Sequence, residues 1–374
     1  MVVQVYTNIR TYQCEIFHTL LKMLCLTGRG VFARMNVSKK NIIYFFIVII
    51  IAYFLASYQL PYYIQRPGNA DELDPIVEVE NGTESEGQMH LVTVSGLQAT
   101  PIQYVWAKIF PHNEILPIEE VFPEGLDQDD YMHAQLQLME NSQEASTVAA
   151  YQAAGEEITI DYRGVYVVSV IEGMPAEGKL EPGDVIVAVD GQKVEKSEDL
   201  TEYVNTKEEG DTIVIDYIRE NDELTVELGL ESFDETNEKR GIGISLVTDR
   251  EVDIERPVEF SSGSIGGPSA GLMFALEIYD QLTEEDLTRG YNISGTGEID
   301  YEGNIHPVGG VDKKIVAADR SGVDVFFALY DQGETGSNYE VAKKAAEEID
   351  TEMEIVPVDN LDDALSYLKN LQPK

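Results

Sequence analysis

Residues 42–57 read IIYFFIVIIIAYFLAS without a single charge, and Tyr58, Gln59 and Leu60 extend the run to about 20 residues, the length a helix needs to cross hydrocarbon. A transmembrane helix over 42–60 is expected, leaving 1–41 on one side and everything after Pro61 on the other. Lys39 and Lys40 flank its start and acids dominate after it, so the positive-inside tendency puts the N-terminus in the cytoplasm and the bulk outside, with membrane lipid contacted through one helix. A cleaved signal peptide is the competing reading, but QLPYYIQRPG lacks the small residues of a cleavage site. Met35, followed by NVSKKN, is an alternative start.

The charge is strongly partitioned. Six basic residues and one acid, Glu15, precede Pro61, against 20 basic and 67 acidic residues from there on, for a net charge of −42. Such a surface repels phosphate backbones, so no nucleic acid is expected as a partner. Both cysteines, Cys14 and Cys25, lie before the apolar run, which removes disulfides, cysteine nucleophiles and Cys-ligated zinc from the large C-terminal region. The five histidines show no HExxH or paired spacing, so neither a metal nor any other cofactor is expected.

Beyond the apolar run, residues 61–87 are rich in Pro, Gly, Asn and acids and read as a tether. His90–Val94 reads as a strand, and Asp130–Ala154 as a helix with Met132, Leu136 and Met139 on one face. The lone Trp106 reads as core. Residues 157–232 form a separate β-rich unit, with strands expected at Val165–Val170, Val185–Val189, Thr212–Arg219 and Glu223–Leu228 and a helix at Ser197–Asn205. From 236 onward, strands at Gly241–Val247, Tyr291–Gly295 and Val323–Ala328 and helices at Ser269, Asp312–Ser321 and Asn360–Asn370 complete an α+β pattern.

Two motifs carry chemistry. In Gly266-Gly267-Pro268-Ser269-Ala270-Gly271, glycines permit a tight turn and the serine falls at a helix start, where backbone N–H groups lack intrahelical partners and could hold an oxyanion. Ser269 and Gly267 are the candidate donors, since Pro268 has no N–H. A plain turn or an anion site fits the same six residues; a phosphate loop does not, since no GxxxxGKS or GxxxxGKT occurs. The second motif runs from Thr296-Gly297-Glu298 to Gly303-Asn304-Ile305-His306-Pro307-Val308-Gly309-Gly310-Val311-Asp312-Lys313-Lys314. A serine hydroxyl needs a base, and a desolvated lysine can serve, because burial disfavours the ammonium.

Together these motifs resemble the proteolytic domain of the Lon family. That resemblance implies a serine endopeptidase in which Ser269 is the nucleophile, Lys314 the base and Thr296 the residue that orients the lysine. The run Leu180-Glu181-Pro182-Gly183-Asp184-Val185-Ile186 and the turn Asp190-Gly191 resemble PDZ domains of bacterial proteases, which bind a peptide as an added strand. The peptide edge would then comprise Gly164, Val165, Tyr166 and Val167. Anchor, PDZ and catalytic motifs in this order resemble the PDZ-containing Lon-like proteases of Gram-positive bacteria. In that family exported peptides or proteins are the substrates, no ATPase module is present, and a homo-oligomer is open to the fold. Residues 88–156 are either the first part of a catalytic domain split by the PDZ insertion or a separate membrane-proximal domain. A catalytically silent PDZ scaffold is the rival function; a trypsin-like enzyme is excluded because no GNSGG-type serine loop with its histidine and aspartate is found.

Overall fold

The computed structural model describes residues 39–122, 128–233 and 240–374; of the expected cytoplasmic segment 1–41 only the last three fall within it. These three already belong to the first helix, α1 (Lys39–Ser57). The helix is apolar all round, and from Lys40 onward every side chain is exposed. Among the described residues it is the one helix long and apolar enough to cross a membrane.

The expected tether is a correction. Residues 62–79 form strands β1 (Tyr62–Glu72) and β2 (Val77–Val79), with Ile64, Leu73, Val77 and Val79 buried. Strand β1 pairs with β3 (Gln88–Gln98) on one side and β4 (Glu114–Pro117) on the other. The breakers misled because they sit where a sheet tolerates them. The register shifts between Pro67 and Ala70, and β4 covers only Tyr62–Gln65, so the missing proline N–H is spared a ladder position. Between β3 and β4, Thr100 opens helix α2 (Pro101–Ile109) with a capping box to Gln103. Trp106 on this helix is 60% exposed and stacks on Phe110, so it is not core. A long helix, α3 (Gln128–Ala154), follows.

The chain divides into two compact units, one comprising residues up to Glu156 together with Arg256–Lys374, the other Glu157–Glu255. The second contains β5 (Ile158–Val170), β6 (Val185–Val189), helix α4 (Ser197–Asn205), β7 (Thr212–Arg219), β8 (Asp222–Gly229) and β9 (Ile244–Ile254). The sheet order is β9-β5-β6-β7-β8, over a core that includes Val165, Val167, Ile186, Ile213 and Leu228. Asp184 of the LEPGDVI run is buried and takes a two-pronged pair from Arg219, Nε–Oδ1 2.6 Å and Nη2–Oδ2 2.8 Å, the fork geometry that compensates a desolvated carboxylate. The second domain boundary shifts accordingly. By packing, strand β9 groups with the second unit rather than with the part expected from 236, because it pairs along its whole length with β5.

The first unit resumes with β10 (Val258–Phe260), which pairs with β2. A 3-10 turn at Pro268–Ala270 runs into α5 (Gly271–Leu282), and β11 (Asn292–Thr296), β12 (Glu298–Ile299), β13 (Ile305–His306) and α6 (Val311–Arg320) follow. The chain closes with β14 (Val325–Leu329), α7 (Asn338–Ile349), β15 (Glu354–Val358) and α8 (Leu361–Asn370). The main sheet has the order β15-β14-β11-β3-β1-β4, parallel from β15 to β3 and antiparallel from β3 to β4. All twelve residues of α5 are buried; each large apolar side chain sunk this way contributes about 1.5–3 kcal/mol. The fold class is α+β, and the two motifs, carried on α5, β11 and α6, meet at the Thr296 end of β11.

Candidate active site

Helix α3 builds the seat for the serine. Gly267 adopts φ +94°, a conformation glycine reaches without strain, and its N–H donates to the Gln135 carbonyl at 2.8 Å. Ser142 Oγ donates to the Pro268 carbonyl at 2.9 Å, and Ser146 Oγ to the Gly271 carbonyl at 2.9 Å. Sequence reasoning missed this cradle; its signal is the small-residue row Ser142, Ala145, Ser146, Ala149 at helical spacing, which lets backbones approach. The bond to Gln135 also corrects one expectation, since the Gly267 N–H is already engaged and is not an oxyanion donor. The Ser269 N–H lies in the first helical turn, where an N–H has no intrahelical acceptor.

Ser269, Thr296 and Lys314 come together although 45 residues separate the first from the last. The Ser269 carbonyl accepts from Gly297 N–H at 3.1 Å and from Thr296 Oγ1 at 3.0 Å, tying the serine turn to the end of β11. Lys314, on the second turn of α6, places Nζ 2.7 Å from Ser269 Oγ and 2.8 Å from Thr296 Oγ1. Because the threonine hydroxyl spends its proton on the Ser269 carbonyl, it can only accept from the lysine. That fixes one amine N–H and aims the amine at the serine.

Lys314 is buried, and burial lowers its pKa from 10.5 to about 7. Among the described residues it makes no ion pair. The adjacent Lys313 is equally buried but has Nζ 2.7 Å from Glu114 Oε2 and 3.2 Å from Asp312 Oδ2. Two neighbouring lysines thus receive opposite treatment: one is charge-compensated, the other desolvated and hydrogen-bonded to two hydroxyls. A neutral amine 2.7 Å from a serine hydroxyl can accept its proton. His306 lies apart, with Nε2 3.1 Å from Asp300 Oδ2.

The expected peptide edge at Gly164–Val167 is not open. Strand β5 lies between β6 and β9: Val165 and Tyr166 pair with Ile186 and Val185 on one side, and Gly164–Val167 with Leu246–Asp249 on the other. Gly164 is needed for a different reason from ligand approach. A Cβ there would sit 2.3 Å from the Ile186 carbonyl oxygen. The chain's own β9 therefore occupies the position an added peptide strand would take, and Ser197 of α4 donates its N–H to Thr248 Oγ1 of β9 at 3.0 Å.

Comparison with known proteins identifies two family matches that overlap at 223–230. Residues 135–230 match the family model for the PDZ domain, and residues 223–370 that for the Lon protease (S16) C-terminal proteolytic domain. The chain is 33% identical over 102 residues to the Lon protease of Aster yellows witches'-broom phytoplasma, covering 27% of this chain and 12% of that protein. It is 37% identical over 106 residues to the Lon protease of Ureaplasma parvum, covering 28% and 12%. The chain thus spans about an eighth of the length of these relatives. Among solved structures, the PDZ domain of an SdrC-like protein from Listeria monocytogenes is 35% identical, covering 24% of this chain and 93% of that one, with a TM-score of 0.23.

Proposed function

Since the chain carries a PDZ domain and a Lon-type proteolytic domain, we propose that it is a membrane-anchored serine endopeptidase with a Ser269/Lys314 dyad. The observation that carries this reading is the buried, ion-pair-free Lys314 amine 2.7 Å from Ser269 Oγ. Ser269 Oγ attacks the peptide carbonyl carbon while its proton passes to the neutral Lys314 amine. The oxyanion lies against the Ser269 N–H. The intermediate collapses with cleavage of the C–N bond, and Lys314 returns the proton to the leaving amine. Water, deprotonated by Lys314, then releases the acyl group and regenerates Ser269. No step needs a nucleotide or a metal. Thr296 is a positioning residue, fixing the amine's orientation.

With α1 in the bilayer and Lys39 and Lys40 at its cytoplasmic end, the catalytic unit faces outward and its substrates are exported peptides or proteins. The test is digestion of casein by the purified full chain in detergent without nucleotide. New peptide termini support the reading, while intact casein from a folded chain favours the scaffold. For topology, protease added to intact cells should remove the region after Pro61; protection of that region sinks the outward orientation.

The PDZ unit is the proposed recruiting module, with one constraint from β9: a peptide that adds to β5 must displace Leu246–Asp249. Without any peptide, amide exchange at Tyr166, whose N–H turns to the β9 side while that of Val167 donates to the Asp184 carbonyl beside β6, should therefore be slow, at the level of the unit's most protected strands. Fast exchange there would mean that β9 leaves the edge open in solution.

A further inference from the structure

The exposed face of α2 has no partner among the described residues. Ile102, Val105, Trp106, Ile109 and Phe110 recur at the spacing of one helical face and are 43–68% exposed. The opposite face is packed: Ala107 is buried, and Tyr104 lies with its ring 5.0 Å from Tyr62. A solvent-facing stripe this apolar is unusual for a surface helix, which turns its apolar stripe to the core and its polar side outward. It needs a cover.

Its place in the fold names the cover. Leu60, three residues beyond the end of α1, donates its N–H to the Ala99 carbonyl at 2.8 Å, and Ala99 donates to the Tyr62 carbonyl at 2.8 Å. Gln98 Nε2 donates to the Leu60 carbonyl at 3.1 Å. The first residue of α2 follows two positions later, and α1 and α2 lie in contact. The apolar stripe is thereby locked to the end of the apolar helix. Charge agrees. In a chain with 68 acids, none occurs between Glu86 and Glu114, nor from Asn41 to Ala70, so both stretches of chain meeting at this end of the sheet are free of carboxylates. Trp, Tyr and Lys are the residues that settle at a bilayer interface, and Lys108, whose amine lies over the Tyr104 ring at 4.8 Å, can reach the headgroups from there.

We propose that α2 is an interfacial helix that lays its Ile102–Phe110 stripe into the outer leaflet of the membrane that α1 spans. The proposal rests on the anchoring reading above. Its consequence is that the catalytic unit is held at the bilayer by two contacts, the spanning helix and a surface-lying one, rather than swinging on a tether.

Trp106 is the single tryptophan of the chain, so its emission reports α2 alone. The full chain is reconstituted at about one copy per vesicle into phosphatidylcholine carrying bromines either high on the acyl chain or near its end, and flotation is scored in parallel. The expected result is blue-shifted emission that loses about half its intensity to the high bromines and clearly less to the deep ones, as for a side chain at the interface. An Ile102→Glu/Ile109→Glu double variant should still float but lose that quenching. A floating chain with water-like, unquenched emission overturns the inference while leaving the anchor standing. Blue-shifted but unquenched emission overturns it in favour of cover by protein rather than lipid. Unchanged quenching in the double variant overturns the role of the stripe. A chain that fails to float overturns the anchor, and the inference with it.

Discussion

Ser269→Ala abolishes casein cleavage, and Lys314→Met does the same; each loss is on the order of 10⁵-fold or more, and the double variant loses no more than either single one. The non-additivity follows from geometry. Ser269 Oγ and Lys314 Nζ are 2.7 Å apart, and they act as one unit, so a serine without its base and a base without its serine both leave only binding and oxyanion contributions. Initial rates of the three variants against wild type decide it. A Lys314→Met enzyme that keeps a tenth of the activity would mean that another group takes the serine proton. Stability separates the variants from simple misfolding. Lys314 has its pKa depressed by burial, so between about 7 and 10.5 the unfolded chain binds the extra proton. Wild-type stability contributed by this site therefore rises with pH across that window. Lys314→Met removes the buried amine, so its thermal midpoint should exceed wild type most below pH 7 and least near pH 10. Thr296→Val should fall between, losing roughly 10- to 100-fold in rate through misorientation of the amine, with Lys314→Arg failing to substitute because guanidinium does not deprotonate.

The meeting of Ser269, Thr296 and Lys314 was legible because each motif combines residue types with backbone demands: small residues for a tight turn, a serine at a helix start, a lysine one turn into another helix. What the sequence could not show was which neighbours would use up the hydrogen-bonding groups. Gly267 lies in the loop as expected, yet its N–H is taken by Gln135, 132 positions earlier in the chain. The PDZ strand was read as Val165–Val170, the second half of the observed Ile158–Val170, and its partner was not read. Strand β9 lies 74 or more positions beyond the residues it pairs with, and strand alternation alone carries no information about pairing partners. The tether error has the same root. Pro67, Gly68 and Asn69 look like linker until the bulge they occupy is seen, and burial of Leu73, Val77 and Val79 is set by strands distant in sequence. Trp106 failed in the opposite direction: a large aromatic suggests core, and only the packing of Ala107 and Tyr104 shows which face of α2 turns inward.

The pH profile of cleavage is the second large effect. Only the neutral amine of Lys314 can take the Ser269 proton, and burial brings its pKa to about 7. Below that value kcat/KM should fall about tenfold per pH unit, so that pH 5 leaves on the order of a hundredth of the plateau rate. An unperturbed lysine would instead place the rise above pH 10, and a histidine base would place it near 6.5, so a midpoint well away from 7 sinks the assignment. The stability of the fold has a pH dependence of its own, to which a different group contributes. Glu277, buried on α5 beside Gln281 and Asp74, has its pKa raised to about 8, chiefly by desolvation. Its folded pKa lies above the unfolded value of 4.5, so the stability it contributes is complete below about pH 4.5 and is lost as pH rises through 8. Glu277→Gln keeps an amide oxygen for Gln281, which now donates to Glu277 Oε1 at 2.7 Å, and should flatten the loss of stability between about pH 4.5 and 8. The same variant should leave the acid limb of the rate profile at about 7, because that limb belongs to Lys314. If the limb moved with Glu277, the titrating group would be the carboxyl and the lysine would not be the base.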